Sequence, residues 1–263
     1  MPGRRVARRA RAGVGSALSL YHELAEHYDG LYSWKDYRSE ARRLAALAER
    51  FGRSDGVRWL DVACGTGHHL EHLRAAYSVV GVDASPEMLH VARRRLPGVR
   101  LIRGDMRTFR LAEEFDVVSC LFSAIGALRT ERDVRRTLGN LARHTAPGGV
   151  VIVEPWIDPS SYRPGHVHLT KWEGPSEKVV RVAYSQRRGD RSVIHYQYLV
   201  GVQGRGVRHY EETDVGLMVP RRRLLAWMEA AGLRARYLPR GLTGNRGLLV
   251  GTKPSSGTTA RSR

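Results

Sequence analysis

The residues most able to do chemistry lie where a short apolar run gives way to glycine. Residues 59–67 read Trp-Leu-Asp-Val-Ala-Cys-Gly-Thr-Gly, so the run ends in Asp61 and a G-x-G turn made by Gly65 and Gly67. Glycine lets the backbone approach a ligand closely, and the free N–H groups at a helix start attract a carboxylate or a phosphate. An ordinary tight turn between a strand and a helix would have the same pattern, so this motif needs further support.

Two more carboxylates follow at positions that suit a nucleotide. Asp83 ends the next apolar run, and in nucleotide-binding folds an acidic residue about 20 residues after the first glycine binds the ribose hydroxyls. Asp105 follows a third run, where a carboxylate suits an adenine amino group and the neighbouring Met106 could pack on the ring. Each could instead serve only a helix start or a loop turn. Their place at successive strand ends favours a ligand site, because open α/β sheets bind ligands there.

Other chemistries are less well supported. A dinucleotide oxidoreductase would need a small residue at position 70, which is Leu70. Cys120 lies in an apolar run and is better explained as a buried structural thiol than as a nucleophile. His69 suits a structural hydrogen bond, and the scattered histidine pairs lack the partners of a metal site. The sequence therefore predicts no metal.

The elements that must position these residues alternate along the chain. Helical spacing covers residues 21–32, 37–51 and 134–144, and strand-like runs cover residues 57–60, 78–82, 100–103, 115–121 and 150–153. Ser85 and Pro86 provide a cap and a first position for the helix that follows Asp83. Strands separated by helices predict a mostly parallel sheet covered on both faces. Three β-ribbon segments then predict a β-rich insertion at about residues 156–218, before a helix at 221–231 and an edge hairpin at 234–251.

The charge of the chain is unusual. Its 263 residues carry a formal net charge of +18, and 40 of the 44 basic residues are arginine, a ratio that suggests codon bias. Five arginines crowd the first eleven residues, so we expect disordered basic tails at 1–15 and 253–263 around a domain at 16–252. No apolar run is long enough to span a bilayer, and two cysteines cannot form a disulfide framework. We expect a cytoplasmic protein without membrane partners.

The three strand-end motifs together resemble the class I S-adenosylmethionine (SAM) methyltransferases, over roughly residues 20–252. The resemblance implies a Rossmann-like α/β fold with a mostly parallel seven-stranded sheet, and SAM as the cofactor. It implies that Asp61 and the glycine loop contact the methionine part of SAM, Asp83 the ribose, and Asp105 and Met106 the adenine. The cofactor-binding residues expected on this basis are Tyr28, Tyr37, Asp61, Ala63, Gly65, Gly67, Asp83, Asp105, Met106 and Leu121.

Several further segments resemble a narrower group, the N-methyltransferases that dimethylate the 3-amino group of nucleotide-linked deoxysugars in macrolide antibiotic assembly. They are Tyr28-Asp29, Lys35-Asp36-Tyr37, His69-Leu70, Phe122-Ser123, Val153-Glu154-Pro155-Trp156, Gly206 to Glu212 and Arg246-Gly247-Leu248. The resemblance implies an enzyme that methylates a small nucleotide-linked amino sugar. It leaves a homodimer open, with the β-rich insertion as interface or as pocket lid.

The same resemblance suggests the acceptor-site residues. Tyr21 matches an acceptor-site tyrosine and is the candidate catalytic residue, although an aromatic anchor for the N-terminal helix is an equal alternative. Arg246, with Arg181 as a weaker second, would bind a diphosphate, because the arginine fork fits phosphate oxygens. Ser123 and Trp156 complete the predicted substrate set. In some relatives a histidine stands where this chain has Ala127, so the group that orients or deprotonates the amine is not identified.

Two alternatives stay open at this point. A methyltransferase of another natural-product scaffold fits the departure at Ala127. An RNA methyltransferase would explain the basic tail, but Arg4 to Arg11 lack interleaved aromatics, and no Pro-Pro element follows Leu121. The sequence therefore argues against nucleic acid as a partner.

Overall fold

The computed structural model describes residues 19–22, 24–242 and 246–255. The predicted tail 1–15 and most of the predicted tail 253–263 lie outside these residues. The helices are α1 (Ala25–Leu31), α2 (Tyr37–Phe51), α3 (His68–Leu73), α4 (Pro86–Arg95), α5 (Glu131–Arg143) and α6 (Arg221–Ala230), with 3-10 helices at Ser19–Tyr21 and Ala124–Ala127. The strands are β1 (Arg58–Val62), β2 (Ser78–Asp83), β3 (Arg100–Arg103), β4 (Phe115–Cys120), β5 (Thr145–Val153), β6 (Val167–Glu173), β7 (Glu177–Arg188), β8 (Arg191–Val202), β9 (Gly206–Leu217), β10 (Arg234–Leu238) and β11 (Leu248–Thr252).

Seven strands form the main sheet, in the order β10-β11-β5-β4-β1-β2-β3. β1 to β5 pair in parallel, and β11 runs antiparallel to both β5 and β10. The strand order reverses between β1 and β4, so their carboxyl ends open a crevice of the kind in which such sheets bind ligands. The predicted α/β fold, with its mostly parallel seven-stranded sheet and an antiparallel edge hairpin, is confirmed.

Local sequence explains the elements that border this crevice. At the start of α4 the Ser85 hydroxyl accepts a hydrogen bond from the Met88 backbone N–H at 3.0 Å, and Pro86 occupies the first helical position. In β1 Trp59 is fully buried, and its indole N–H donates to the Ser119 hydroxyl of β4 at 2.8 Å. Burying a side chain of this size contributes about 3 kcal/mol, and the hydrogen bond ties β1 to β4.

The remaining strands form a separate antiparallel sheet in the order β6-β7-β8-β9. The sequence predicted three of them, but the alternation in Val167–Glu173 went unrecognised, because the side chains of β6 are mostly exposed and its pattern resembles a polar loop. One face of the sheet packs on the N-terminal segment around Tyr28, Val179 and Tyr198. The boundaries 156–218 for an insertion stay a prediction of the sequence.

The N-terminal segment is not the continuous helix expected over residues 21–32. A 3-10 helix at Ser19–Tyr21 instead precedes the helix α1, and backbone groups of the 3-10 helix bind other elements. The Leu20 N–H donates to Glu212 at 3.2 Å, and the Tyr21 carbonyl accepts from the Ser85 hydroxyl at 2.6 Å. These two hydrogen bonds fix Tyr21 between the two sheets.

Candidate active site

The glycine loop connects β1 to α3 through three left-handed residues. Ala63, Gly65 and Gly67 have φ angles of 59°, 56° and 81°. A Cβ atom at Gly67 would lie 2.6 Å from the Leu96 side chain, whereas one at Gly65 would meet nothing within 4 Å. Gly67 thus permits close packing of the loop on the end of α4, and Gly65 borders open space.

Asp83 at the end of β2 faces this loop. Its carboxylate oxygens accept hydrogen bonds from the Gly65 N–H at 2.8 Å and from the Ser85 N–H at 2.9 Å. Burial raises the pKa of the Asp83 carboxyl above its usual range. Each oxygen keeps a further lone pair, so the group can accept from two adjacent hydroxyls, as a ribose would present them.

Two connected cavities surround the loop, and we call them together the cofactor cavity. The larger measures about 290 Å³ and the smaller about 40 Å³, and Tyr28, Ala63, Gly65, Leu121 and Phe122 line both. Of the predicted cofactor residues, Asp83 and Met106 line the larger part, and Tyr37 and Asp61 line the smaller part. This lining fits an adenosyl group attached to a methionine chain. The features that fit it are the open space at Gly65, the paired acceptor oxygens of Asp83 and the apolar side chain of Met106.

Two predicted cofactor residues do not line the cavity. Gly67 packs against α4 as described above. The Asp105 carboxylate is held by Arg107, whose Nε donates to both oxygens at 2.9 and 3.0 Å, and this hydrogen bonding lowers the pKa of Asp105. The neighbouring Gly104 and Met106 line the larger part instead. Contact between the Asp105 side chain and the adenine stays a prediction.

The smaller part of the cofactor cavity is backed by buried charged groups. Burial raises the pKa of Asp61 to about 6, and its carboxylate accepts from the Ser119 hydroxyl at 2.6 Å. Nearby, Glu40 accepts from Lys35 at 2.9 Å and lies 2.7 Å from the His69 ring nitrogen. The His69 ring is therefore held in a buried hydrogen-bond network with Glu40 and Lys35, and the structural function expected for it stays a prediction.

A larger cavity of about 600 Å³, the acceptor cavity, lies between the end of the main sheet and the inner face of the four-stranded sheet. It is lined by all five residues of the predicted substrate set: Tyr21, Ser123, Trp156, Arg181 and Arg246. Its wall coincides with that of the cofactor cavity at four residues, which we call the junction: Tyr21, Phe122, Ala124 and Ala127. A group in one cavity can therefore meet a group in the other only at the junction.

The Phe122–Ser123 turn shapes the junction at a cost in backbone strain. Both residues are left-handed, with φ angles of 50° and 60°, and such a conformation costs about 1–3 kcal/mol per residue. The fully buried Glu154 offsets this cost, because it accepts from the Phe122 N–H at 2.8 Å, while the Ser123 hydroxyl donates to the Pro155 carbonyl at 2.8 Å. Glu154 was not among the predicted site residues.

Tyr21 is 37% exposed because its ring faces both cavities, yet the surrounding protein raises the pKa of its phenol well above the usual value. The hydroxyl therefore stays neutral and can both donate and accept a hydrogen bond.

The two arginines lie on different walls of the acceptor cavity. The Arg181 guanidinium donates to the Tyr32 hydroxyl at 3.0 Å and to the Thr170 hydroxyl at 3.2 Å. The Arg246 guanidinium lies 5.8 Å from the Phe122 ring centre and 5.1 Å from that of Trp156. The Arg181 guanidinium also lies 5.2 Å from the Tyr32 ring centre, so both cations rest on aromatic faces and retain N–H donors for an anion.

Among the described residues, no group of three or more histidine, cysteine or acidic side chains could hold a metal ion. Within the same residues, no helix is both long and apolar enough to cross a bilayer. Cys120 is fully buried, and burial raises the pKa of its thiol, so it is poorly suited to act as a nucleophile.

Comparison with known proteins agrees with this geometry. Residues 60–149 match the model of a methyltransferase domain family. The chain is 40% identical to the dTDP-3-amino-3,6-dideoxy-alpha-D-glucopyranose N,N-dimethyltransferase of Streptomyces fradiae, over 94% of this chain and 98% of that protein. It is 38% identical to the dTDP-4-amino-2,3,4,6-tetradeoxy-D-glucose N,N-dimethyltransferase of Saccharopolyspora spinosa, over 92% and 96%.

Solved structures show the same relationship. DesVI of Streptomyces venezuelae is similar with a TM-score of 0.83 and 37% identity, over 88% of this chain and 98% of that chain. SAM-bound CalS10, an amino pentose methyltransferase from Micromonospora echinaspora involved in calicheamicin biosynthesis, is similar with a TM-score of 0.75 and 37% identity, over 92% and 100%.

Proposed function

The chain belongs to the family of SAM-dependent N-methyltransferases that act on nucleotide-linked amino sugars in antibiotic biosynthesis, and we propose that its own acceptor is a dTDP-linked 3-amino-6-deoxysugar, methylated twice. The relatives named for 3-amino and 4-amino sugars both span nearly the whole chain. We choose the 3-amino sugar because the two relatives named for 3-amino sugars are 40% and 39% identical to this chain, against 38% for the relative named for a 4-amino sugar.

The observation that carries the proposal is the junction between a cofactor cavity and a larger acceptor cavity. SAM, when bound, supplies a methyl group activated on a sulfonium. The chain must align the acceptor nitrogen with that methyl group and exclude water, and such positioning can remove about 7–11 kcal/mol of a reaction barrier. Tyr21 lines both cavities, so its neutral hydroxyl is suited to orient the amine at the junction.

The acceptor cavity also suits the rest of the substrate. Arg181 and Arg246 offer guanidinium groups to the diphosphate, and Trp156 and Ser123 border the space for the sugar. Arginine on an aromatic face is well suited to bind phosphate, because its orientation is fixed before the ligand arrives.

The proposal is tested with purified protein, labelled SAM and the dTDP-linked 3-amino and 4-amino sugars. We expect methyl transfer to the 3-amino sugar, and an Arg246→Ala variant should raise the KM for the sugar nucleotide while leaving SAM binding unchanged. Arg234→Ala is the matched control, because Arg234 is exposed on the adjacent strand β10. Absence of transfer to every nucleotide-linked amino sugar would refute the proposed function.

We further propose a homodimer formed through the outer face of the four-stranded sheet. Five apolar side chains project from this face, and each is 38–68% exposed: Val167, Leu169, Val182, Tyr184 and Leu199. Apolar patches of this kind are typical of interaction surfaces. A Leu199→Glu variant should elute as a monomer in size-exclusion chromatography with light scattering, whereas an unchanged dimer would rule out this face.

We also propose a cytoplasmic location. Cys64 and Cys120 are both free and buried, as expected in a reducing compartment. Activity confined to the soluble fraction of the source cells would support this location, and activity in the culture medium would contradict it.

A further inference from the structure

The inner face of the four-stranded sheet presents a carboxylate to the acceptor cavity. Asp214 on β9 pairs with Ile194 on β8, and Ile194 pairs with Ser185 on β7. All three residues line the cavity, which shows that this face of the sheet forms its wall. Within the described part of the chain, Asp214 is the only carboxylate in that lining.

The packing of Trp156 places this part of β9 beside the junction. A Cβ atom at Gly216, two residues beyond Asp214, would lie 3.0 Å from the indole nitrogen of Trp156. Gly126 lies in the 3-10 helix Ala124–Ala127, and a Cβ atom there would lie 2.6 Å from the same Trp156 side chain. The Trp156 indole therefore lies between β9 and the 3-10 helix that ends at Ala127. The face of β9 that carries Asp214 is thus turned towards the junction residues.

The groups around Asp214 leave its carboxylate available for a ligand. It forms no salt bridge with any described residue, although the exposed Arg129, which follows the 3-10 helix, favours its charge. Burial raises the pKa of the Asp214 carboxyl, and the Val215 N–H opposes that rise. The other titratable groups that face it are Tyr21 from the N-terminal segment, Tyr196 from β8, Arg181 from β7 and Glu212 from β9 itself.

The other titratable groups near the cavity are less suitable as a proton acceptor. Burial raises the pKa of Tyr21 and of Tyr196, so neither phenol accepts a proton near neutral pH. His166 and His168 line the cavity at the β6 edge of the four-stranded sheet, which is the edge opposite β9 and the Trp156 contact near the junction. Glu212 is buried under the N-terminal segment, accepts from the Leu20 N–H at 3.2 Å and does not line the cavity.

We propose that Asp214 binds the ammonium group of the acceptor sugar and takes its proton. The inference rests on the proposed function, because it assumes an amine acceptor. A protonated amine has no lone pair, so one N–H bond must break, and the proton passes to an Asp214 oxygen. The nitrogen lone pair then forms the new N–C bond while the C–S bond of the sulfonium breaks and its electrons return to sulfur. The proton leaves Asp214 for solvent before a second transfer.

The test compares the pH dependence of kcat/KM for the amino sugar in wild type and in Asp214→Asn. A free amino group with a pKa of about 8 is about one-tenth deprotonated at pH 7. The variant should therefore lose at least about tenfold in kcat/KM at pH 7, and the loss should shrink to within about threefold by pH 9.5, where the amine is already neutral. SAM affinity should not change.

Glu211→Gln is the matched control, because Glu211 is exposed on the opposite face of the same strand, and it should behave as wild type. An Asp214→Asn loss of equal size at every pH, or no loss, would overturn the inference. If the variant does not fold, wild-type protein provides a second measurement. It should bind the amino sugar at pH 7 more tightly than the analogue with hydroxyl in place of the amine, and equal affinities would overturn the inference. A wild-type enzyme that binds SAM but methylates no amino sugar would refute the proposed function instead.

Discussion

The Asp83→Asn substitution tests the cofactor cavity at its best-defined polar group. In the structure one Asp83 oxygen accepts from the Gly65 N–H at 2.8 Å and the other from the Ser85 N–H at 2.9 Å. Asparagine has the same shape but only one oxygen. Its NH2 group must therefore face a backbone N–H and cannot accept a hydrogen bond from a ribose hydroxyl.

The magnitude follows from the bonds that are lost. One hydrogen bond from a ribose hydroxyl to an ionised acceptor contributes about 1.5–3 kcal/mol. At about 1.4 kcal/mol for each factor of ten, the dissociation constant for SAM should rise by about tenfold to 150-fold. The lost backbone hydrogen bond also lowers the free energy of unfolding without SAM, so circular dichroism must first establish that the variant is folded.

Isothermal titration of SAM into both proteins measures the effect. Asp55→Asn is the matched control, since Asp55 is exposed before β1, and its affinity for SAM should equal that of wild type. A folded Asp83→Asn variant whose affinity for SAM changes by less than about threefold would refute the assignment of Asp83 to the ribose, because even one weak charge-assisted bond is larger than that.

Three further predictions concern stability and the junction. The folded-state pKa of Asp61 is about 6, against about 3.9 unfolded, so its ionisation should reduce the free energy of unfolding by about 2 kcal/mol as pH rises from 4 to 7. Denaturation of wild type and Asp61→Asn across that range isolates the effect, and a pH-independent difference would contradict it. Gly216→Ala should displace Trp156 and raise the KM for the acceptor without weakening SAM binding. The control is Gly139→Ala on α5, whose Cβ would meet nothing within 4 Å and which should stabilise the fold by about 1 kcal/mol. Equal effects of the two substitutions in kinetics and thermal unfolding would refute this reasoning. Glu154→Ala should lower the free energy of unfolding by about 1–3 kcal/mol, because it leaves the partly buried Phe122 N–H of the turn unpaired, while Glu154→Gln keeps an acceptor and should cost less. The reverse order in urea denaturation would contradict this reasoning.

The cofactor cavity was largely predictable because its residues follow local rules. The glycine loop and Asp83 each close a strand, and strands that are parallel neighbours bring their carboxyl ends to one edge. Predicted strand ends therefore place these residues together without knowledge of side-chain packing. Asp105 shows the limit of that argument, because its side chain is held by Arg107, which local spacing did not reveal.

The acceptor cavity depends on contacts between distant segments, which the sequence pattern does not encode. Residues 206–217 are mostly polar and include four polar side chains in a row at residues 211–214. Such a pattern fits a solvent-exposed ribbon, so it could not show that Asp214 faces a cavity. Glu154 stabilises the Phe122 turn only because β5 pairs with β4. The helix expected at residues 21–32 begins only at Ala25 for the same reason, since the Tyr21 carbonyl binds Ser85 of a distant element.

The central claim is that the two cavities bring an amino sugar nitrogen to the methyl group of SAM. Mass spectrometry of dTDP-3-amino-3,6-dideoxyglucose after incubation with SAM and the purified protein tests it most directly. We predict a product that has gained two methyl groups, both on nitrogen by fragmentation, through an intermediate with one. A sugar nucleotide of unchanged mass in the presence of SAM-binding protein, or a methyl group on oxygen, would contradict the account.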